Sequence, residues 1–202
     1  ATTIQSYNNV WDDGYPSGGN YWSDHSNIDY NSGHGQNETG SDGISDDPYP
    51  IDPSYYDYYP LVSPFSTLDA GTWNEITYKV NVASNSTISD FYFNPSEGPF
   101  IRFNVAGESG TTGFCRVTIP KDLLWVEDGW VVLVGAGPVV PTVTEDADYT
   151  YLYFTYSHST KTITITGTHA VPEFPSAIIM SLFMVFTMLA VAFLKRRKTL
   201  EN

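Results

Sequence analysis

Residues 76–82 read ITYKVNV, with Ile76, Tyr78, Val80 and Val82 alternating with Thr77, Lys79 and Asn81. A side-chain period of two belongs to a strand with one buried and one wet face, and β-branched and aromatic residues fit that pleated surface. The pattern spreads outward from there. Phe91 and Phe93, then Ile101, Phe103 and Val105, then Cys115, Val117 and Ile119 repeat it, as do Leu152, Phe154 and Tyr156, and Ile163 with Ile165. The run WVVLVGAGPVV at 130–140 adds further strand material. SNST at 84–87, NPSEGP at 94–99 and GESGTTG at 107–113 mark turns between them. About seven short strands over 66–170 predict an antiparallel, immunoglobulin-like β-sandwich. Only PKDLLWVED at 120–128 hints at a helical turn.

Residues 1–65 have a different composition, rich in Gly, Asn, Asp, Ser, Tyr and Pro and without helical periodicity. They predict coil held by specific contacts. Nine of the 15 tyrosines lie there, and YYDYYPLVSPF at 55–65 sets rings against a neighbouring surface, as capping groups or as a sugar-stacking platform. The segment opens without an initiator methionine, which predicts a missing upstream part.

Toward the other end, AIIMSLFMVFTMLAVAFL at 177–194 carries no charge and runs into Lys195, Arg196, Arg197 and Lys198. It predicts a transmembrane α-helix of roughly 27 Å, with the basic residues retained in the cytoplasm and the N-terminal part extracellular. Met180, Met184 and Met188 make a packing stripe along it. VPEFPS at 171–176 reads as a stiff Pro-rich linker, and 195–202 as a basic cytoplasmic tail. The sequons at Asn37 and Asn85 are glycosylation sites on this reading.

A formal net charge of −14 argues against nucleic-acid binding, which needs a basic face. Cys115 is the one cysteine, so the chain has no disulfide framework and no thiolate metal site. The acidic balance concentrates in DGISDDPYPID at 42–52, which has four aspartates, and no Lys or Arg occurs in residues 1–78. At an effective dielectric near 20, two carboxylates about 5 Å apart repel by about 3 kcal/mol. Such a loop stays extended in water or gathers a cation. Calcium takes six to eight oxygen ligands in flexible geometry. The candidate ligands are Asp24, Asp29, Asp42, Asp46 and Asp47, with carbonyls near Ile44, and Gly40 and Gly43 let the chain fold tightly around an ion. The spacing is not that of an EF-hand. His25, His34, His158 and His169 show no clustered spacing that favours copper, and no nucleophile elbow occurs, so no enzymatic activity is expected.

NNVWDDGYPSGGNYWSDHSNID and GSDGISDDPYPID, followed by DYYPLVSPF, resemble the C-terminal end of archaeal surface proteins with a NosD-like right-handed parallel β-helix. The likeness covers about residues 7–65. It implies that residues 1–25 are the last rung or cap of a solenoid, and that 1–65 is a β-helix C-terminal cap with a calcium-type loop. SNSTISDFYF, SGTTGFCRVTIPKDLL and YFTYSHSTKTITITGT make 72–169 similar to the β domain that follows in such proteins. Pro172, Glu173, Phe174 and Pro175, with the apolar run and basic tail, are similar to a sorting signal read by archaeosortases. The chain departs from the family pattern at His25, Ser45 and Asp47, where Tyr, Gly and Thr are usual. Ser45 is the consequential one, because serine resists positive φ. The function implied is a non-catalytic, calcium-stabilised, membrane-anchored surface protein for display or adhesion, with surface glycans, other surface proteins or an archaeosortase as partners. The alternative is a carbohydrate-binding or carbohydrate-processing protein whose groove lies upstream.

Overall fold

Within 76–82, Tyr78, Val80 and Val82 are buried and Thr77 and Lys79 are exposed, whereas Ile76 at the strand's start is exposed against the pattern. The same alternation builds the rest of the architecture. A computed structural model describes residues 10–73, 75–171 and 184–188. Residues 1–170 form one unit and residues 171–202 a second.

Four short strands belong to the front of the first unit: β1 (Asn31–Ser32), β2 (Glu38–Thr39), β3 (Tyr49–Asp52) and β4 (Tyr55–Asp57). Then follow β5 (Phe65–Trp73), β6 (Ile76–Ser84), β7 (Thr87–Phe93), β8 (Phe100–Ala106) and β9 (Thr112–Pro120). The last are β10 (Leu124–Trp125), β11 (Val131–Val134), β12 (Gly137–Val139), β13 (Thr142–Glu145), β14 (Tyr149–Ser157), β15 (Lys161–Thr166) and β16 (His169–Ala170). Ten of them make two five-stranded antiparallel sheets, in the orders β13-β14-β9-β6-β5 and β12-β11-β15-β8-β7.

Each sheet buries one face. Val80, Val82, Cys115, Val117, Ile119, Leu152 and Phe154 line the first, and Ile101, Phe103, Val105, Val132, Ile163 and Ile165 line the second. Two sheets with alternating residues of near-zero exposure are a sandwich core, at about 25 cal/mol for each Å² of apolar surface removed from water. Leu123 and Leu124 close it. Where 120–128 hinted at a helical turn, a turn at 121–123, with Leu123 N–H donating to the Pro120 carbonyl, leads into β10.

Three expectations are corrected. There is no parallel β-helix among the described residues. The front segment pairs in antiparallel hairpins, β1 with β2 and β3 with β4, plus antiparallel bridges Asp12–Gly19 and Ile44–Leu61 and one lone parallel bridge, Tyr21–Leu61. Gly, Pro, Asn and Asp are so dense there that the chain turns before a parallel ladder can extend. The sandwich has ten strands in its two sheets, not about seven. The transmembrane helix and the anchoring built on it are corrected as well. Within 177–194 the described helix is 184–188, and no helix among the described residues is long and apolar enough to cross a membrane. A span needs about 20 residues at about 1.5 Å each. The rest of that run, Pro172 to Pro175, and Lys195 to Lys198 lie outside the described residues.

Candidate functional site

The acidic front segment, residues 10–64, sits on the outer face of the β9-containing sheet, and its carboxylates are answered mostly by N–H groups. Asp29 accepts from the amides of Asp42 (3.1 Å) and Gly43 (2.9 Å). Asp46 accepts from the amides of Tyr30 (3.1 Å) and Asn31 (3.0 Å) and from the Asn31 side chain (2.9 Å). Asp42 accepts from the Ile44 amide (3.0 Å) and from Gln36 Nε2 (3.3 Å). Asp12 holds the amides of Gly14 and Tyr58, and Asp52 those of Ser54 and Tyr55. Charge-assisted bonds of this kind are about twice as strong as neutral ones. The aspartates fasten the loops.

Asp57, which the sequence reading passed over, is the most buried of them. It is fully buried, and its Oδ2 accepts from the Asn20 amide (2.7 Å) and Trp22 Nε1 (2.9 Å), while Oδ1 accepts from the Tyr59 amide (3.2 Å). A Cβ at Gly19 would strike this carboxylate, so the tight approach requires glycine there.

The missing positive charge comes from the sandwich. Arg116, on the outward face of β9, is only 3% exposed because the front segment covers it. Its Nε donates to the Asp42 carbonyl at 3.1 Å, its Nη2 donates to the Pro16 carbonyl, and its guanidinium lies 4.6 Å from the Tyr151 ring centroid. Burial lowers the Arg116 pKa, and the negative groups around it, Asp42 first, push it back up. Gly43 has φ +87°, and a Cβ there would come 2.5 Å from Arg116 Cδ, so both its conformation and its closeness demand glycine. Arg116 also draws the Asp42 pKa downward, against a net rise caused chiefly by burial.

Of the five proposed calcium ligands, Asp29, Asp42 and Asp46 are neighbours, and Asp24 is elsewhere, accepting from Tyr49 OH at 3.0 Å. Asp47 contributes only its carbonyl, which bonds His25 Nε2 at 2.9 Å. Among the described residues no three His, Cys, Asp or Glu side chains gather as a metal-ligand group. Each carboxylate oxygen of Asp29, Asp42 and Asp46 already accepts at least one N–H, so these groups serve as loop fasteners as folded.

His25 also shares a hydrogen bond with Ser45 Oγ at 3.0 Å. The three positions that depart from the resemblance, His25, Ser45 and Asp47, are therefore one bonded unit. Ser45 is buried and does not have positive φ; the positive values fall at Gly40 and Gly43. The expected strain at Ser45 does not arise.

Burial raises the Asp29 pKa from 3.8 to about 7, with a further push from the Asp42 and Asp46 charges that its two N–H bonds only partly offset. The folded state therefore holds the Asp29 proton more tightly than the unfolded chain. Its contribution to stability is complete below about pH 4 and is lost as pH rises to about 7. Melting temperatures measured across that window will decline more steeply for the wild type than for Asp29→Asn. Equal slopes contradict the assignment.

Of the glycosylation sequons, Asn37 is exposed beside β2. Asn85 has its carboxamide committed to β9: Nδ2 donates to the Thr112 carbonyl and Oδ1 accepts from the Phe114 amide, both at 3.0 Å. The nitrogen that a glycan would modify is the one making that bond.

His158 is buried. Its Nε2 is 2.8 Å from Ser86 Oγ and its Nδ1 2.5 Å from Thr111 Oγ1, and Ser86 Oγ is 2.7 Å from Tyr156 OH. The signal was present, since the two-residue period that buries Leu152, Phe154 and Tyr156 reaches His158. A serine–histidine pair alone is not a catalytic triad; Thr111 stands where an orienting carboxylate would be needed. Cys115 is equally enclosed, and burial pushes its thiol up to about 11, which keeps it inert.

No known protein family, curated protein or solved structure matches the chain in comparison.

Proposed function

We propose that the unit formed by the acidic front segment and the sandwich is a non-catalytic module for display or adhesion. The observation that supports this is the commitment of four buried polar side chains to internal bonds, whereas Trp11 Nε1, Asn27 Oδ1, Gln36 Oε1 and Trp130 Nε1 have no partner among the described residues. Asp57, Asp42, Arg116 and His158 each have their hydrogen-bonding atoms engaged within the unit. That arrangement favours rigidity over proton transfer. Kinship with NosD-like surface proteins, and glycans or other proteins as partners, belong to the same proposal.

Beads coated with the full chain test it. They are expected to adhere to surfaces bearing polysaccharide or protein, with no release of reducing ends from the polysaccharides. Absence of adhesion to every surface, or turnover above background, contradicts the reading.

Calcium stabilisation is the second reading, and one observation favours it: Asp29, Asp42 and Asp46 lie together, and the charges of Asp42 and Asp46 add to the rise in the Asp29 pKa that burial chiefly causes. A cation would remove that cost. Melting with calcium and with chelator separates the two readings. A marked rise with calcium, together with loss of the pH dependence described above, supports the second; unchanged melting supports fastening by N–H groups alone.

A further inference from the structure

The front segment covers only part of the outer sheet face. Beside it lies a groove of about 970 Å³, walled by Trp11, Asp13 and Asn20 and floored by outward residues of β5, β6, β9 and β14. Binding pockets of small molecules run to roughly 300–1,000 Å³, so this one is large enough for several linked rings. Strand register sets the floor. Thr67 lies opposite Asn81, Asn81 opposite Thr118, and Thr118 opposite Tyr151. This places a row of hydroxyl and amide groups across four strands. Phe65 and Tyr149, both lining the groove, are 51% and 40% exposed.

We propose that this groove binds a neutral oligosaccharide. The floor is a sheet face, and backbone groups outside the ladders lie at edges such as the outer one of β5, so a peptide lying across the face cannot add main-chain bonds to it as it would at an edge. Charge argues against an anion. Asp12 and Asp13 line the wall, the chain is −14 overall, and the lining cations are Lys79 and Arg116. Arg116 already gives its donors to the Asp42 and Pro16 carbonyls. Lipids and other wholly apolar ligands would strand the floor's polar groups unpaired. A sugar presents what remains: C–H faces that stack on rings and hydroxyls at their edges. Asn81 is poised for the second role. Its Oδ1 accepts from Thr67 Oγ1 at 2.9 Å, which fixes the amide, and its Nδ2 has no partner among the described residues.

This inference rests on the non-catalytic reading and names a ligand class for it. Calorimetric and NMR titrations of the full chain use cello-, manno- and chito-oligosaccharides, with a uronate oligomer as the anionic comparison. At least one neutral series is expected to bind and to shift the amides of Thr118 and Asn81, with the uronate weaker. Tyr149→Ala and Asn81→Ala should each weaken binding roughly five- to tenfold. Tyr149 is exposed, so its variant keeps the fold, and wild-type shift mapping stands whatever Asn81→Ala does. The proposal is overturned if no neutral oligosaccharide binds at millimolar concentration, if the uronate binds best, if the shifts map elsewhere, or if Tyr149→Ala binds as the wild type does. Adhesion of the coated beads without oligosaccharide binding would overturn this inference and leave the display reading in place.

Discussion

Replacing Arg116 with methionine will lower the unfolding free energy by about 3–5 kcal/mol, read by urea denaturation. Methionine keeps most of the volume and removes the charge. Two charge-assisted bonds are lost, to the carbonyls of Asp42 and Pro16, and each is worth roughly 1.5–3 kcal/mol. The stacking against Tyr151 goes as well, and Asp42 loses the positive neighbour that restrains its pKa. Arg116→Lys will recover little, although it restores the charge. One ammonium on a flexible stem cannot serve two carbonyls that the guanidinium reaches with separate nitrogens. The loss should fall first on the front segment: its amides should lose hydrogen-exchange protection while those of Val117 and Ile163 keep theirs. A cost below about 1 kcal/mol, in the range of an exposed pair, would show that Arg116 is not the anchor.

Asp57→Ala carries the second large effect, an expected cost of roughly 3–5 kcal/mol. Three donors, the amides of Asn20 and Tyr59 and the Trp22 indole, lose their acceptor in a fully buried place. Each stranded donor costs roughly 1–3 kcal/mol, partly relieved where water can enter. Asp57→Asn should cost about 1–2 kcal/mol, because the amide retains one acceptor oxygen and sets an NH₂ against a donor. The ordering of the two variants is the diagnostic. If alanine and asparagine cost the same, the hydrogen bonds of Asp57 do not hold the segment together. Tryptophan emission gives an independent readout, since Trp22 donates to Asp57 and stacks on Tyr49 with centroids 4.4 Å apart.

The sandwich strands were legible because one physical signal, burial every second residue, repeats along them. Val80 with Val82, Ile101 with Phe103 and Ile163 with Ile165 all turn inward as the alternation predicts. Arg116 obeys the same alternation and falls on the outer face, where the pattern predicts solvent. Its burial depends on Asp42 and Pro16, which come from distant parts of the chain, and no local period reports that. Asp57 was hidden differently. Inside YYDYY the rings attract the reading, while the aspartate between them makes the bonds. The acidic loop raised the right question about charge, but composition counts carboxylates without showing where their lone pairs point. N–H donors are present in every residue but proline, so they leave no mark in the sequence.

The β-helix expectation failed because a resemblance supplied a shape that the local turn chemistry did not support. β1 to β4, of two to four residues each, pair as antiparallel hairpins and not as parallel rungs. The apolar run at 177–194 was read from hydropathy alone, and the helix described within it covers 184–188.

Amide hydrogen exchange in buffer stripped of divalent cations tests the central claim most directly. If carboxylates bonded to N–H groups organise the front segment, the amides of Asn20, Asn31, Gly43 and Tyr59 will be protected under those conditions, and added calcium will leave their rates unchanged. Rapid exchange at these four positions, slowed only when calcium is restored, would contradict the account.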